Sequence, residues 1–174
     1  MTRLFPPRTP QVDARLFSSR TPQVDALYAH YSHIPDNAWH YRYFTPRELA
    51  SKGDGSLLVN HDAIARLERM REIIDKPLII TSAYRDPIHN AKVGGAPMSM
   101  HRFGKAFDVS LRSFHPIDGR NVEVNHNREQ LYQAALTAGF TGFGFYATFL
   151  HIDTGRKRHW GKSAAIYGVR DSHI

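Results

Sequence analysis

The sequence predicts an α+β domain in which a small, mostly antiparallel sheet carries helices packed on one side. Apolar residues recur at helical spacing over residues 60–75 and again over about 127–138. Short alternating or apolar runs at 78–81, 105–111, 143–146 and 149–153 read as strands, the last two joined by a tight turn. Helices and strands thus alternate only loosely and end in a hairpin, which argues for α+β.

A chain of 174 residues fits one domain that buries roughly two-thirds of its unfolded surface, so no metal or disulfide is needed merely to hold it together. Cysteine is absent, which excludes thiolate zinc sites and thiol catalysis and leaves His, Asp and Glu as the strong metal ligands. The formal charge is +7 and the pI near 9.9, with Lys and Arg scattered. That surface favours anionic partners in general, whether nucleic acid, anionic membrane or acidic wall polymers, and does not choose among them. No run of eighteen apolar residues exists, and Met1 to Pro7 have no apolar core of secretory length. A protein made in the cytoplasm without a signal peptide, and not inserted stably in a membrane, is expected.

Residues 3–14 and 15–26 are a tandem duplication of twelve residues that differs only where Pro6-Pro7 becomes Ser18-Ser19. Two copies are too few for a solenoid, and a proline in each forbids a regular helix or central strand, so an extended arm is expected. Its use is either as a tether or wall-binding tail, or none beyond a duplication in a tolerant terminus. Tyr28, Tyr31, Trp39, Tyr41, Tyr43 and Phe44 then crowd together, more as a cover for one side of the core than as a stacking platform. Thr45-Pro46-Arg47-Glu48 is a capping box with proline at the first helical position, so a short helix runs to about Ser51.

Over 60–75 the stripe is Ile64, Leu67, Met70, Ile73 and Ile74, an amphipathic helix expected to pack on the sheet. Pro77 stops it, and Leu78-Ile79-Ile80-Thr81 reads as a buried strand. Residues 86–98 hold two prolines and Gly94-Gly95, hence a loop with room for one helical turn near His89. In the strand over 105–111, Ala106, Asp108 and Ser110 share one face, and Phe107, Val109 and Leu111 the other. The second helix buries Leu131, Ala134, Ala135 and Ala138, and Gly139 ends it. The tail from Arg156 is basic.

His101 and Asp108 stand seven residues apart, and Gly104 between them lets the chain fold back so that imidazole and carboxylate meet. His151, embedded in the apolar strand 149–153, is the candidate third ligand. Asp108, held between Phe107 and Val109, needs a partner if buried, and a metal is one. Two imidazoles and a carboxylate with a fourth position left to water form a catalytic zinc arrangement, which acidifies water and polarises a carbonyl. Amide hydrolysis follows. Arg85, just past the 78–81 strand, can hold a substrate carboxylate or steady an oxyanion, or make a structural ion pair with Asp86 or Asp108. Asp153, two residues after His151 on the same face, either orients that imidazole or serves as general base. A non-haem iron site would need its carboxylate soon after the first histidine, a spacing met only by His151 and Asp153. No recognition helix or RNA-binding signature supports a nucleic-acid binder.

Ser82-Ala83-Tyr84-Arg85, the Ser99/His101/Gly104/Ala106/Asp108 pattern and His151-Ile152-Asp153 together resemble the zinc D-Ala-D-Ala peptidase family, which includes VanX-like and VanY-like enzymes, phage endolysins and the hedgehog domain. The resemblance covers about residues 40–162. It divides the chain into an arm with an aromatic cover (1–39), a zinc peptidase domain (40–162) and a tail (163–174). It implies one Zn2+ ion on His101, Asp108 and His151, with Arg85 as the substrate or transition-state arginine and Ser99, Tyr146 and Trp160 beside the substrate. It further implies a monomeric peptidase cutting next to a D-amino acid in bacterial peptidoglycan, reached from the cytoplasm after release as a phage-type endolysin. A non-catalytic, hedgehog-like zinc module is the alternative. One departure stands out: many members carry an acidic base three residues before the last histidine, and here that residue is Thr148. Asp153 is the expected replacement.

Overall fold

In the computed structural model residues 25–113 and 121–161 are described, with backbone alone for 121–125. The duplicated arm up to residue 24 and the tail 163–174 lie outside the described residues.

Polar caps start the first two α-helices. Thr45 and Glu48 form the reciprocal capping box that opens α1 (Pro46–Leu49). Asn60 accepts from the Ala63 amide to open α2 (His61–Ile74), which ends where Asp75 turns left-handed at φ 52°. Ala63, Ile64, Leu67 and Met70 are buried, whereas Ile73 of the expected stripe is 43% exposed. At about 100° per residue Ile73 lies roughly 120° round the helix from Leu67, off the buried face. The helix also packs chiefly on α4 (Asn121–Ala138) rather than on the sheet, and α4 in turn touches strand β6 (Phe149–Asp153). The alanines at 134, 135 and 138 leave little bulk between the helices.

That second helix starts well before the Asn127 expected to begin it. Asn127 is fully buried inside the helix and donates to the Leu111 carbonyl at 2.8 Å, so its polarity serves packing rather than capping.

Two sheets form. β1 (Ala26–Tyr28) pairs antiparallel with β2 (Leu57–Val59), an addition that no pattern in the sequence announced. The main sheet joins β3 (Ile80–Ser82), β4 (Ala106–Ser110), β5 (Gly142–Phe145), β6 and β7 (Arg158–Trp160) in the order β3-β4-β6-β5-β7. All its pairings are antiparallel except β5 with β7. β3 is an edge strand, and Ile79 just before it is 49% exposed, which corrects the buried strand expected over 78–81. Only one side of an edge strand has a neighbour, so an apolar run there need not be covered. The helical turn expected near His89 is α3 (Pro87–Lys92).

Phe107 and Val109 of β4, Phe143 and Phe145 of β5, and Leu150 and Ile152 of β6 face the helices and join Leu67, Met70 and Leu131 in one core. Tyr28, Tyr31, Trp39, Tyr41 and Tyr43 pack against it from the N-terminal side. By the alternation of strands, the other sheet face receives Asp108, His151, Asp153, Arg158 and Trp160. No helix among the described residues is long and apolar enough to cross a membrane.

Candidate metal centre

Two rows of residues cross that second face. Asp108 lies opposite His151, His151 opposite Gly144, and Gly144 opposite Trp160. The next row runs Ala106, Asp153, Gly142 and Arg158. His101 reaches the first row from outside the sheet, on a 3-10 turn, Met100–Phe103. Gly104 makes this possible: its φ of 65° turns the chain back into β4, and a Cβ there would lie 2.5 Å from the Leu58 carbonyl oxygen.

Three ligand-type atoms converge. His101 Nε2 stands 3.2 Å from Asp108 Oδ1 and 3.2 Å from His151 Nδ1, and these last two are 2.9 Å apart. A tetrahedral ion with bonds of about 2.0–2.2 Å sets its ligand atoms about 3.3–3.6 Å from one another, so tenths of an ångström separate this triangle from a metal site. The rings are held in the matching tautomers. His101 Nδ1 donates to the Ala83 carbonyl at 2.6 Å, and His151 Nε2 donates to Asp153 Oδ2 at 3.0 Å, so the inward nitrogens present lone pairs. All three side chains are buried. Lone pairs facing one another in a dry site repel unless a cation or a proton sits among them, and a divalent cation fits this donor set.

The titration of the cluster says the same. Burial pushes His101 below the ordinary imidazole range against the pull of Asp108. Burial opposes charge on Asp108 too, yet its two imidazole neighbours, His101 and His151, hold its carboxyl well below the usual range. His151 is also penalised by burial, but Asp108 and Asp153 outweigh it and raise its pKa.

Arg85 makes the ion pair with Asp108 that the sequence left open to it. Its Nη2 donates to Asp108 Oδ2 at 2.7 Å and its Nε to Ser82 at 2.8 Å, while its side chain lines the cleft. Its backbone amide donates to the His101 carbonyl, tying the end of β3 to the ligand turn. The cleft, about 500 Å³, has the three ligands on its floor and Ser99, Tyr146, Phe149 and Trp160 on its walls. Trp160 Nε1 donates to the Tyr146 hydroxyl at 3.2 Å.

Asp153 is placed differently from a general base. It is fully buried behind His151 and does not line the cleft. His151 Nε2 and Arg158 Nη2 donate to its Oδ2, and the Gly155 amide and Arg158 Nη1 to its Oδ1. Four donors occupy a carboxylate that has about four lone-pair positions, which leaves none for a water in the cleft. Burial would raise its pKa, but His151 and Arg158 lower it. The geometry therefore gives Asp153 the orienting role and corrects its assignment as base. Thr148 is exposed and stands outside the cleft lining. Among the described residues, Asp108 is the one acid that lines the cleft.

A profile of the family described as Peptidase M15 matches residues 42–153. The chain belongs to the peptidase M15 family. No curated protein matches it. Membership makes it a metallopeptidase, agrees with the resemblance to the zinc D-Ala-D-Ala peptidases, and accords with the α+β fold and the His-Asp-His cluster. The M15 match ends on Asp153 and so leaves out Arg158, a cleft residue that the sequence reading missed. The available signal was Gly-Phe-Gly at 142–144: alternate glycines on one strand face mark a close approach by something else.

Proposed function

We propose that this M15 member is a zinc-dependent peptidoglycan peptidase that hydrolyses an amide bond next to a D-amino acid in the stem or cross-link peptide, as a phage-type endolysin. One observation carries the reading: His101 Nε2, Asp108 Oδ1 and His151 Nδ1 converge within 3.2 Å of one another on the floor of a cleft. These three residues would hold the ion, which when bound supplies an acidified water and a Lewis acid for the amide carbonyl. Arg85 spends two of its N–H groups on Ser82 and Asp108, and the rest serve a substrate carbonyl or carboxylate. Tyr146 accepts from Trp160, whose indole can only donate, so the tyrosine keeps its own proton to give. Phe149 and Trp160 offer apolar walls to the peptide, with Ser99 opposite as a hydroxyl. A monomer with a charge of +7 suits an anionic wall reached after release from the cytoplasm, without nucleic acid as partner and without membrane insertion.

A second reading has its own support. With Asp153 saturated and Thr148 outside, the described part of the cleft offers no carboxylate base beyond Asp108. A hedgehog-like zinc module that binds wall or a protein partner without cleaving it would need none. Purified peptidoglycan incubated with the zinc-loaded protein decides between them. New amino groups, with muropeptide masses that locate the cut beside a D-residue, are expected. Stoichiometric zinc with no new amino groups would leave only the binding module.

A further inference from the structure

Arg158 sits on an edge strand beyond the M15 match, yet it is built into the site on three sides. Its guanidinium grips both oxygens of Asp153, Nη2 to Oδ2 at 2.6 Å and Nη1 to Oδ1 at 2.9 Å. Its carbon lies 4.8 Å from the Trp160 ring centroid, and that ring lies 5.1 Å from the His151 ring. The path to these contacts runs across β5, where a side chain would block it. A Cβ on Gly142 would fall 2.4 Å from Asp153 Oδ2 and 2.6 Å from Arg158 Nη1, and one on Gly144 would fall 2.6 Å from the indole of Trp160. β5 is hollowed so that β7 can reach the ligand strand. Meanwhile His159, between them, turns to the other face and stacks on Phe143 at 5.2 Å, which pins the register of β7.

We propose that Arg158 is a positioning residue for the metal centre: by clamping Asp153 in a bidentate grip and backing Trp160 against His151, it fixes the imidazole that presents Nδ1 to the ion. Without Arg158, Asp153 would keep only the Gly155 amide on Oδ1 opposite His151, a one-point tether about which the carboxylate can tilt and let the imidazole swing. Held at both oxygens, it offers the Nε2 proton a single direction. Partners that orient ligand imidazoles in this way are typically worth about 10–100-fold in metal affinity. Lysine keeps the charge of Arg158 but donates from one point, so it cannot restore the two-point grip.

This rests on the metal-binding reading above, and zinc affinity of the full chain, measured by competition with a chromogenic chelator, separates the two. If the wild type takes up no zinc, the metal-binding reading fails. If it does, Arg158→Gln and Arg158→Lys are each expected to bind at least about tenfold more weakly, with the visible spectrum of the cobalt-loaded protein altered in both. Thermal melts of the metal-free proteins identify any variant that has lost its fold. Should Arg158→Gln unfold, Arg158→Lys carries the test alone. Affinity and cobalt spectrum unchanged from wild type in a folded variant would overturn the proposal, as would full rescue by lysine.

Discussion

Asp153 carries the sharpest choice at the scale of single residues, because a general base and an orienting carboxylate answer differently to the same substitution. Asp153→Asn keeps the shape but replaces one acceptor oxygen by a donor, so the grip of Arg158 is broken and His151 is less firmly held. The expected outcome is zinc affinity lower by about 10–100-fold, with peptidase activity largely recovered in excess zinc. A base would instead leave activity lost at saturating zinc, and steady-state rates against a zinc series tell these apart. The same cluster sets a pH dependence. His151 has a folded pKa raised above 6.5, so in the metal-free protein its charged form contributes stability that is complete below about 6.5 and fades as pH rises through the folded value. Zinc must displace that proton. Its affinity should therefore climb by up to about tenfold per pH unit from about 6.5 until the folded pKa is passed, then flatten, as chelator competition over a pH series would show. His101 is shifted down and is already neutral in this window, so it adds no slope. The meeting of His101 with Asp108 was legible in the sequence because histidine, glycine and aspartate at fixed spacing imply one fold-back. Arg158 was not, because its role arises from a parallel pairing across two strands that no local spacing encodes.

Among the elements, those with local punctuation were legible and those defined by distant partners were not. Asn60 and Asp75 bracket α2, and Thr45 with Glu48 opens α1, because caps satisfy orphan amides within three residues. β1 with β2, and β7 with β5, exist only through pairing, and three-residue strands leave too little alternation to read. Ile79 looks like core but is half exposed beside an edge strand, since burial depends on what the sheet places beside it. The turn between the ligand helix and β4 gives a direct test of how tightly one element sets another. Gly104→Ala adds a Cβ at a φ of 65° and 2.5 Å from the Leu58 carbonyl, and is expected to cost about 1–3 kcal/mol and to weaken zinc binding by moving His101. Gly94 has a similar φ of 70° but nothing within 4 Å of a Cβ, so Gly94→Ala should cost only the backbone part, about 1–2 kcal/mol. Equal unfolding midpoints for the two variants would show that the contact of the turn with β2 carries no weight.

For the whole molecule, the question is where the folding unit begins. The resemblance put the peptidase domain at residue 40, and the M15 match starts at 42. Yet the segment before it is tied to the core at several points. Ala26–Tyr28 ladder onto β2, Asp25 accepts from Asn60 and from the His61 amide at the start of α2, and the Tyr31 amide donates to the Gly55 carbonyl. Tyr28, Tyr31 and Trp39 pack on the core with Ile34 buried among them, and the Trp39 indole donates to the Phe44 carbonyl. Burial of each such side chain is worth about 1.5–3 kcal/mol when complete, so losing four that are partly to fully covered removes on the order of 5 kcal/mol. That is comparable with the whole stability of an ordinary domain, about 5–15 kcal/mol. Two truncations therefore part company. A chain beginning at residue 25 keeps every contact named here and should melt within a few degrees of the full chain with its zinc affinity intact, whereas a chain beginning at residue 40 should fail to give a cooperative thermal transition. A cooperative melt and unchanged zinc binding from residue 40 onward would place the start of the folding unit at the boundary of the M15 match instead, and would reduce the two-stranded sheet to an appendage.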